Sequence, residues 1–273
     1  MNFVQRLKYI QRKSNSLLCI GLDPDIRKIP KQLRAYRYPL FEFNRRIIDA
    51  THDLVCAYKL NLAFYESAGT RGWESIQKTL EYIPHHIITI GDGKRGDISS
   101  TSEQQARSLY NVFGFTAVTL NPYMGKDAVE PFTRQKDKGV FILAVTSNES
   151  SKDFQRLKVN GKPLYEHVVK NAKKWNVRNN TGLVVGATRP EELRRVRSLV
   201  PDMPLLIPGI GAQGGELEST VRYGCDRNGE LALINIGRSI IYYSSGKDFA
   251  EKARLSALYY HEQMNYYRDK YFS

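Results

Sequence analysis

The sequence predicts an α/β chain folded as a single (β/α)8 TIM barrel with an extra N-terminal helix. Eight short apolar runs rich in β-branched residues recur along it, each bounded by Gly, Pro, Asn or Asp. Segments with apolar residues at helical spacing lie between them, which implies a parallel sheet covered on its outer face. At 273 residues the chain has the length of one such barrel, and no Pro/Gly/Ser-rich linker divides it, so residues 1–273 read as one domain. A doubly wound open sheet is the competing arrangement of the same alternation.

The elements follow in order. The extra helix is expected at the amino end, before the first apolar run. Run one is 16–22 (SLLCIGL), followed by helical spacing at 40–50 and run two at 55–60 (VCAYKL). Runs three (86–90, HIITI) and four (117–120, AVTL) enclose a helical pattern at 102–112. After run five (140–146, VFILAVT) comes the longest polar interruption, 148–163, which reads as an extended loop. Helical spacing at 165–175, 190–200 and 217–222 then alternates with runs six (183–186, LVVG), seven (205–208, LLIP) and eight (231–236, LALINI). A long helical stretch begins at 247.

Composition narrows the class. Hydrophobic residues at 41% and charged residues at 25% exclude a disordered or collagen-like chain. No stretch approaches the roughly 18–20 apolar residues that span a bilayer. Residues 1–13 carry dispersed charges in place of an apolar export signal, so a cytoplasmic protein is expected. Cys19, Cys56 and Cys225 are far apart and without C-x-x-C spacing, which argues for core residues and against a disulfide framework or zinc site.

With 41 Lys+Arg against 28 Asp+Glu, the net charge is +13. That excess suits an anionic partner without choosing between nucleic acid, lipid and phosphorylated small molecules. Nucleic-acid binding would require basic and aromatic residues interleaved on one surface. Here Lys and Arg are dispersed among Glu and Asp, and solvated helix faces explain most of them. Tyr259, Tyr260, Tyr266, Tyr267, Tyr271 and Phe272, at near-helical spacing, are expected to pack against the barrel or a second subunit.

Barrel active sites collect at the carboxyl ends of strands, so polar residues there are informative. Asp23 follows run one, Lys59 and Asn61 close run two, and Asp92, Lys94 and Asp97 follow run three. Asn121, Ser147, Thr188, Gln213 and Arg238 follow the remaining five. Helix capping accounts for Asn121, Ser147 and Thr188. It does not account for Lys59 or Lys94, because lysine is a poor cap and costly where strands converge unless paired. Extended geometry lets Asp92 and Lys94 point the same way, with Lys59 approaching from the neighbouring strand. Such an array holds its members ionised and presents a cationic acid beside an anion.

The pattern D-x-K-x-x-D-I, here Asp92, Lys94, Asp97 and Ile98, resembles that of orotidine 5′-phosphate decarboxylases, and the likeness runs over nearly the whole chain. Gly21-Leu22-Asp23-Pro24-Asp25 is similar to the family's first-strand motif, and Lys59-Leu60-Asn61 with Phe64-Tyr65-Glu66 to its second. Asn121-Pro122-Tyr123-Met124-Gly125, with Asp127 and Glu130-Pro131-Phe132, resembles the longer bacterial and archaeal subgroup, type 2. Thr146-Ser147-Asn148, the glycine-rich stretch from Pro208 to Gly215, and Gly237-Arg238-Ser239 complete the order.

The resemblance implies a cofactor-free, metal-free homodimeric lyase that converts orotidine 5′-phosphate to uridine 5′-phosphate and CO2 in pyrimidine synthesis, with neither nucleic acid nor membrane as partner. It implies a charged network of Lys59, Asp92, Lys94 and Asp97, with Lys94 as proton donor to C6 and Asp92 beside the departing carboxylate. Asp97 would reach into the neighbouring subunit's site. Asp23 would bind the ribose, helped by Asp97 and Thr101 from the other chain. Ser147 would bond the pyrimidine edge, and Pro208, Gln213, Gly237 and Arg238 would complete the substrate-binding set.

Phosphate recognition also has an independent argument. Gly209, Gly211, Gly214 and Gly215 permit close backbone approach, and a helix beginning near Gly214 would offer free N–H groups. Arg238 supplies a fork of donors after the last strand, where such barrels repeatedly place phosphate. Gln213 is expected to close over that phosphate.

Two departures from the family pattern stand out. Gly93 occupies a position where many relatives carry Ala and is expected to loosen the array, and Leu60 replaces a frequent Pro. The nearest rival is a metal-dependent sugar-phosphate decarboxylase or synthase of the same superfamily, in which Glu66 would be a ligand.

Overall fold

The computed structural model describes residues 1–211 and 214–273. Eight parallel strands, β1 (Leu18–Gly21), β2 (Ala57–Asn61), β3 (Ile88–Arg95), β4 (Ala117–Leu120), β5 (Gly139–Val145), β6 (Thr181–Val185), β7 (Leu205–Pro208) and β8 (Ala232–Ile236), pair in sequence order. The last strand closes on the first, with Leu18 opposite Ile234. Closure excludes the open-sheet alternative. Eleven helices among the described residues complete the fold: α1 (Phe3–Lys13), α2 (Pro39–Thr51), α3 (Leu62–Glu66), α4 (Thr70–Tyr82), α5 (Ser99–Arg107), α6 (Lys126–Thr133), α7 (Leu164–Trp175), α8 (Pro190–Leu199), α9 (Leu217–Gly224), α10 (Arg238–Ile241) and α11 (Phe249–Phe272).

Alternation along each strand divides the core in two. Outward residues such as Leu18, Tyr58, Val118, Ile142 and Ile234 pack under the helices. Inward residues, among them Cys19, Ala57, Ile90, Phe141, Leu206 and Leu233, form a second cluster that includes Phe3, Val4, Leu7 and Ile10 of α1. The extra helix therefore plugs the amino end of the barrel. Asn2 and Gln5 form a capping box that starts it. Phe3 meets Phe141 edge to face at 5.9 Å, and Gln11 exchanges hydrogen bonds with the Ala232 carbonyl and the Leu231 amide. A Cβ on Gly139 would fall 2.5 Å from the Phe3 ring, so glycine there makes room for the plug.

Several expectations need correction. Strand β3 continues through Gly91-Asp92-Gly93-Lys94 to Arg95, so Asp92 and Lys94 lie on the strand and not beyond it. Pairing with β2 as far as Asn61 opposite Asp92, and with β4 at Gly91 and Arg95, keeps this polar segment in the sheet. The 148–163 interruption is not a plain loop. It holds a 3-10 turn at Glu149–Asp153 and a hairpin of Lys158–Val159 with Lys162–Pro163. Helix α9 starts at Leu217, later than Gly214, because the Gly214 and Gly215 amides already bond the Gly211 and Gly209 carbonyls, at 2.9 and 3.0 Å.

All three cysteines are buried, and burial pushes the Cys56 and Cys225 thiols up to about 12. They are core residues. The aromatic set at the carboxyl end divides: Tyr260, Tyr267 and Phe272 pack on the barrel's outer core, whereas Tyr259 and Tyr266 are exposed. Among the described residues no helix is long and apolar enough to cross a membrane.

Candidate active site

The carboxyl ends of β1, β2 and β3 converge on four charges. Period-two alternation turns Lys59 and Asp92 inward above Ala57 and Ile90. Lys59 Nζ lies 3.0 Å from Asp92 Oδ2 and 3.6 Å from Asp23 Oδ1, and Lys94 Nζ lies 2.8 Å from Asp92 Oδ1. Lys59 and Asp92 are only 4% and 7% exposed, whereas the Lys94 side chain is 41% exposed. The first charge pair is thus buried and the second cation faces the mouth.

Burial alone would push the Asp92 carboxyl up, but Lys59 and Lys94, by charge and by hydrogen bond, hold it well below the usual carboxylate range. Burial alone would likewise pull the Lys59 ammonium down, and the charges of Asp23 and Asp92 more than reverse it. Both groups stay ionised near neutrality. Asp23 also accepts the Asn61 amide at 3.2 Å, so it belongs to this array as well as to the rim.

A further side chain organises Asp92 and Lys94. Thr119 on β4 donates its hydroxyl to Asp92 Oδ1 at 2.8 Å and accepts the Lys94 amide at 3.0 Å. Lys94 has φ +43°, a left-handed conformation disfavoured for lysine. The Thr119 bond holds it there. A Cβ on Gly93 would lie 2.8 Å from Leu62 Cδ1 and 3.2 Å from Arg95 Nε. Glycine fits here because β3 runs close against α3.

Next to the array is a cavity of about 360 Å³ whose lining includes Asp23, Pro208, Gly209, Asn235, Gly237, Arg238 and Tyr242. Four residues of the expected binding set, Asp23, Pro208, Gly237 and Arg238, thus share one wall system. Arg238 is exposed and opens α10, and its side chain makes no hydrogen bond or ion pair with another described residue. The loop after β7 presses on the loop after β8. Gly211 has φ +77°, and a Cβ there would lie 2.4 Å from Ser239 Oγ, which leaves no room for a side chain. Gln213 lies outside the described residues.

Ser147 sits half-buried just past β5, close against Gly186, which directly follows β6. Asp97 is not gathered into its own chain's charged array. Its carboxylate accepts the Ile98 amide at 2.8 Å, and Thr101 stands exposed in α5. Glu66 is paired with Arg95.

Sequence reasoning missed Thr119, Asn235 and Tyr242. For the first two a signal existed. Thr119 and Asn235 are the polar members of otherwise apolar runs, and each lies two residues after an inward position, Ala117 and Leu233. Asn235 stands 3.6 Å from Cys19 Sγ across the β1–β8 seam. The contacts of Tyr242 are tertiary, and no local pattern reports them.

Comparison with known proteins agrees with this geometry. A family model described as orotidine 5′-phosphate decarboxylase / HUMPS family matches residues 16–253. A relative from Dehalococcoides mccartyi, named orotidine 5′-phosphate decarboxylase, is 47% identical over 275 residues, covering 99% of this chain and 100% of the relative. Another of that name from Flavobacterium johnsoniae is 50% identical over 258 residues and 93% of each chain. The solved structure of Leishmania donovani OMP decarboxylase matches with a TM-score of 0.86 at 36% identity, over 98% of this chain and 100% of that one. By whole-length similarity in both sequence and structure, this chain belongs to the orotidine 5′-phosphate decarboxylase / HUMPS family.

Proposed function

We propose that this protein is a carbon–carbon lyase that converts orotidine 5′-phosphate to uridine 5′-phosphate and CO2 without metal or organic cofactor, in the cytoplasm, on the route to pyrimidine nucleotides. The observation that carries the reading is the buried Lys59–Asp92 pair with the half-exposed Lys94 on it, beside a cavity walled by Arg238 and close-packed glycine loops. Arg238 supplies bidentate donors for the phosphate. Asp23 faces the same cavity and takes the ribose, Pro208 and Gly237 line it, and Ser147 meets the pyrimidine edge. Gln213 completes the phosphate contacts.

Asp92 is held anionic by the two lysines. A substrate carboxylate brought against it is disfavoured in the ground state relative to a transition state in which that charge migrates onto the ring. The bond from C6 to the carboxylate breaks, its electron pair stays on C6, and CO2 leaves. The Lys94 ammonium stabilises the developing carbanion and then gives C6 its proton. Lys94 regains a proton from solvent, to which its partly exposed side chain has access.

The proposed active form is a homodimer in which each chain's Asp97 and Thr101 serve the other chain's site. In support, Asp97 makes no ion pair within its own chain among the described residues, and Ile98 beside it is 56% exposed. The rival metal-dependent reading finds no support around Glu66, which Arg95 engages. Basic and aromatic side chains interleave where α8, α9 and α11 meet, as nucleic-acid binding would require. There Arg194 and Arg222 lie over Tyr223, and Arg222 and Lys270 over Tyr271, so these rings already serve the chain's own cations.

Loss of orotidylate absorbance tests the proposal. Wild-type protein should turn over with chelator present, and Lys94→Ala should not. Absence of wild-type turnover would refute the reaction, loss with chelator would refute its metal independence, and full activity of the variant would refute the role of Lys94.

A further inference from the structure

We propose that Tyr242 is a positioning residue that couples the sugar-side carboxylate Asp23 to the phosphate-side guanidinium Arg238; this rests on the substrate reading above. Tyr242 directly follows α10, and its amide donates to the Arg238 carbonyl at 3.1 Å. Its phenol reaches the other side of the cavity, accepting the Asp25 amide at 2.6 Å and donating to the Asp23 carbonyl at 3.2 Å. One residue therefore holds the loop after β1 and the turn after β8 in fixed relation. No hydrogen bond among the described residues joins Asp23 to Arg238 directly, although both line the same cavity.

The ring itself is immobilised. It stacks on Phe43 at 5.6 Å and 24°, Phe43 stacks in turn on Phe249 at 5.2 Å, and Lys28 Nζ lies 5.9 Å from the ring centre. Burial pushes the Tyr242 phenol up to about 12, so the donor stays protonated at working pH. Hydrogen bonds from Arg27 hold the Asp25 side chain to the surface of the same loop, at 2.9 and 3.0 Å. That leaves the Asp25 backbone amide as the group the phenol grips. A ligand that tightens the turn around Arg238 thereby tightens the loop that carries Asp23.

The test is a double-mutant cycle on binding of uridine 5′-phosphate, measured by calorimetry. Asp23→Asn and Arg238→Ala are made singly and together, first in the wild-type background and then with Tyr242→Phe, which keeps the stacked ring and removes the hydroxyl. In the wild-type background the two losses should depart from additivity by at least about 5-fold in Kd, and with Tyr242→Phe they should be additive within about 2-fold. A merely structural tyrosine would weaken binding throughout and leave the departure from additivity unchanged. If Tyr242→Phe fails to fold, Phe43→Leu keeps the hydroxyl but frees the ring and should also reduce the coupling. Equal coupling in the variant backgrounds, or additivity already in wild type, would overturn the inference alone. Failure of wild type to bind the nucleotide would overturn the substrate reading beneath it.

Discussion

The hydroxyl of Thr119 donates to Asp92 across the β3–β4 ladder at 2.8 Å, to the same carboxylate oxygen that receives Lys94. Because that hydroxyl also accepts the Lys94 amide, it sets the carboxylate and the strained backbone of the proposed acid together. Thr119→Val keeps the shape and removes both bonds. A hydrogen bond to a charged group contributes about 1.5–3 kcal/mol, so kcat should fall on the order of 10- to 100-fold. KM, governed by phosphate contacts elsewhere, should move less than about 2-fold, and Thr119→Ser should recover most of the rate. Steady-state kinetics of the two variants decide the matter.

Acid stability should report the Asp92 carboxyl. Its pKa is depressed in the folded protein, so the stability it contributes is fully present above the unfolded value of about 4 and is lost as pH falls from there toward the folded value. Lys59 has the opposite sign: its raised pKa contributes stability that is present below about 10.4 and lost as pH rises through the folded value. Asp92→Asn should cost about 3 kcal/mol at neutral pH, since it leaves Lys59 with only the more distant Asp23. Thermal melts between about pH 2 and pH 7 should show the wild-type advantage shrinking in acid. A constant gap would contradict the assignment.

The plug makes a packing prediction. Phe3→Ala should destabilise the fold by about 3–5 kcal/mol, because Phe3 is completely buried and its loss leaves a cavity under the barrel. Gly139→Ala should cost about 1–3 kcal/mol by forcing a methyl into the same ring. The two changes are in contact, so Gly139→Ala should be less harmful with Phe3→Leu than alone. Urea unfolding of the single and double variants measures the coupling.

Subunit exchange tests the dimer. Lys94→Ala and Asp97→Ala should each be nearly inactive alone. If Asp97 serves the opposite site, half of the chains in a random mixture pair as heterodimers, each with one intact site of two, and roughly a quarter of wild-type activity should return. Recovery near zero would place Asp97 and Lys94 in the same site or in no shared one.

The barrel was legible because a strand buried on both faces is a continuous apolar run, and eight of these stand out against amphipathic helices. Lys59 and Lys94 were legible because lysine at a strand end has no bland explanation. What stayed hidden has physical reasons. Gly91-Asp92-Gly93-Lys94-Arg95 has no strand-forming composition, and pairing with β2 as far as Asp92 and with β4 at Gly91 and Arg95 keeps it in the sheet. Thr119 passes for an ordinary β-branched strand residue, and its role appears only once its neighbour across the ladder is known. Gly93 reads as a source of freedom, and nothing local reports the Leu62 methyl that stands close beside it.

Closing the barrel's amino end with α1 also decides where the field of the charged layer goes. Beneath Lys59 and Asp92 lies mainly hydrocarbon and sulfur, from Ala57, Ile90 and Cys19 down to Phe3 and Leu7. A floor of low permittivity screens charges far less than water does. The ions are insulated on that side, and their field is focused outward toward the strand ends, where a ligand would arrive. A helix at the far end of the molecule from the proposed chemistry thus acts as the dielectric backing of its electrostatics.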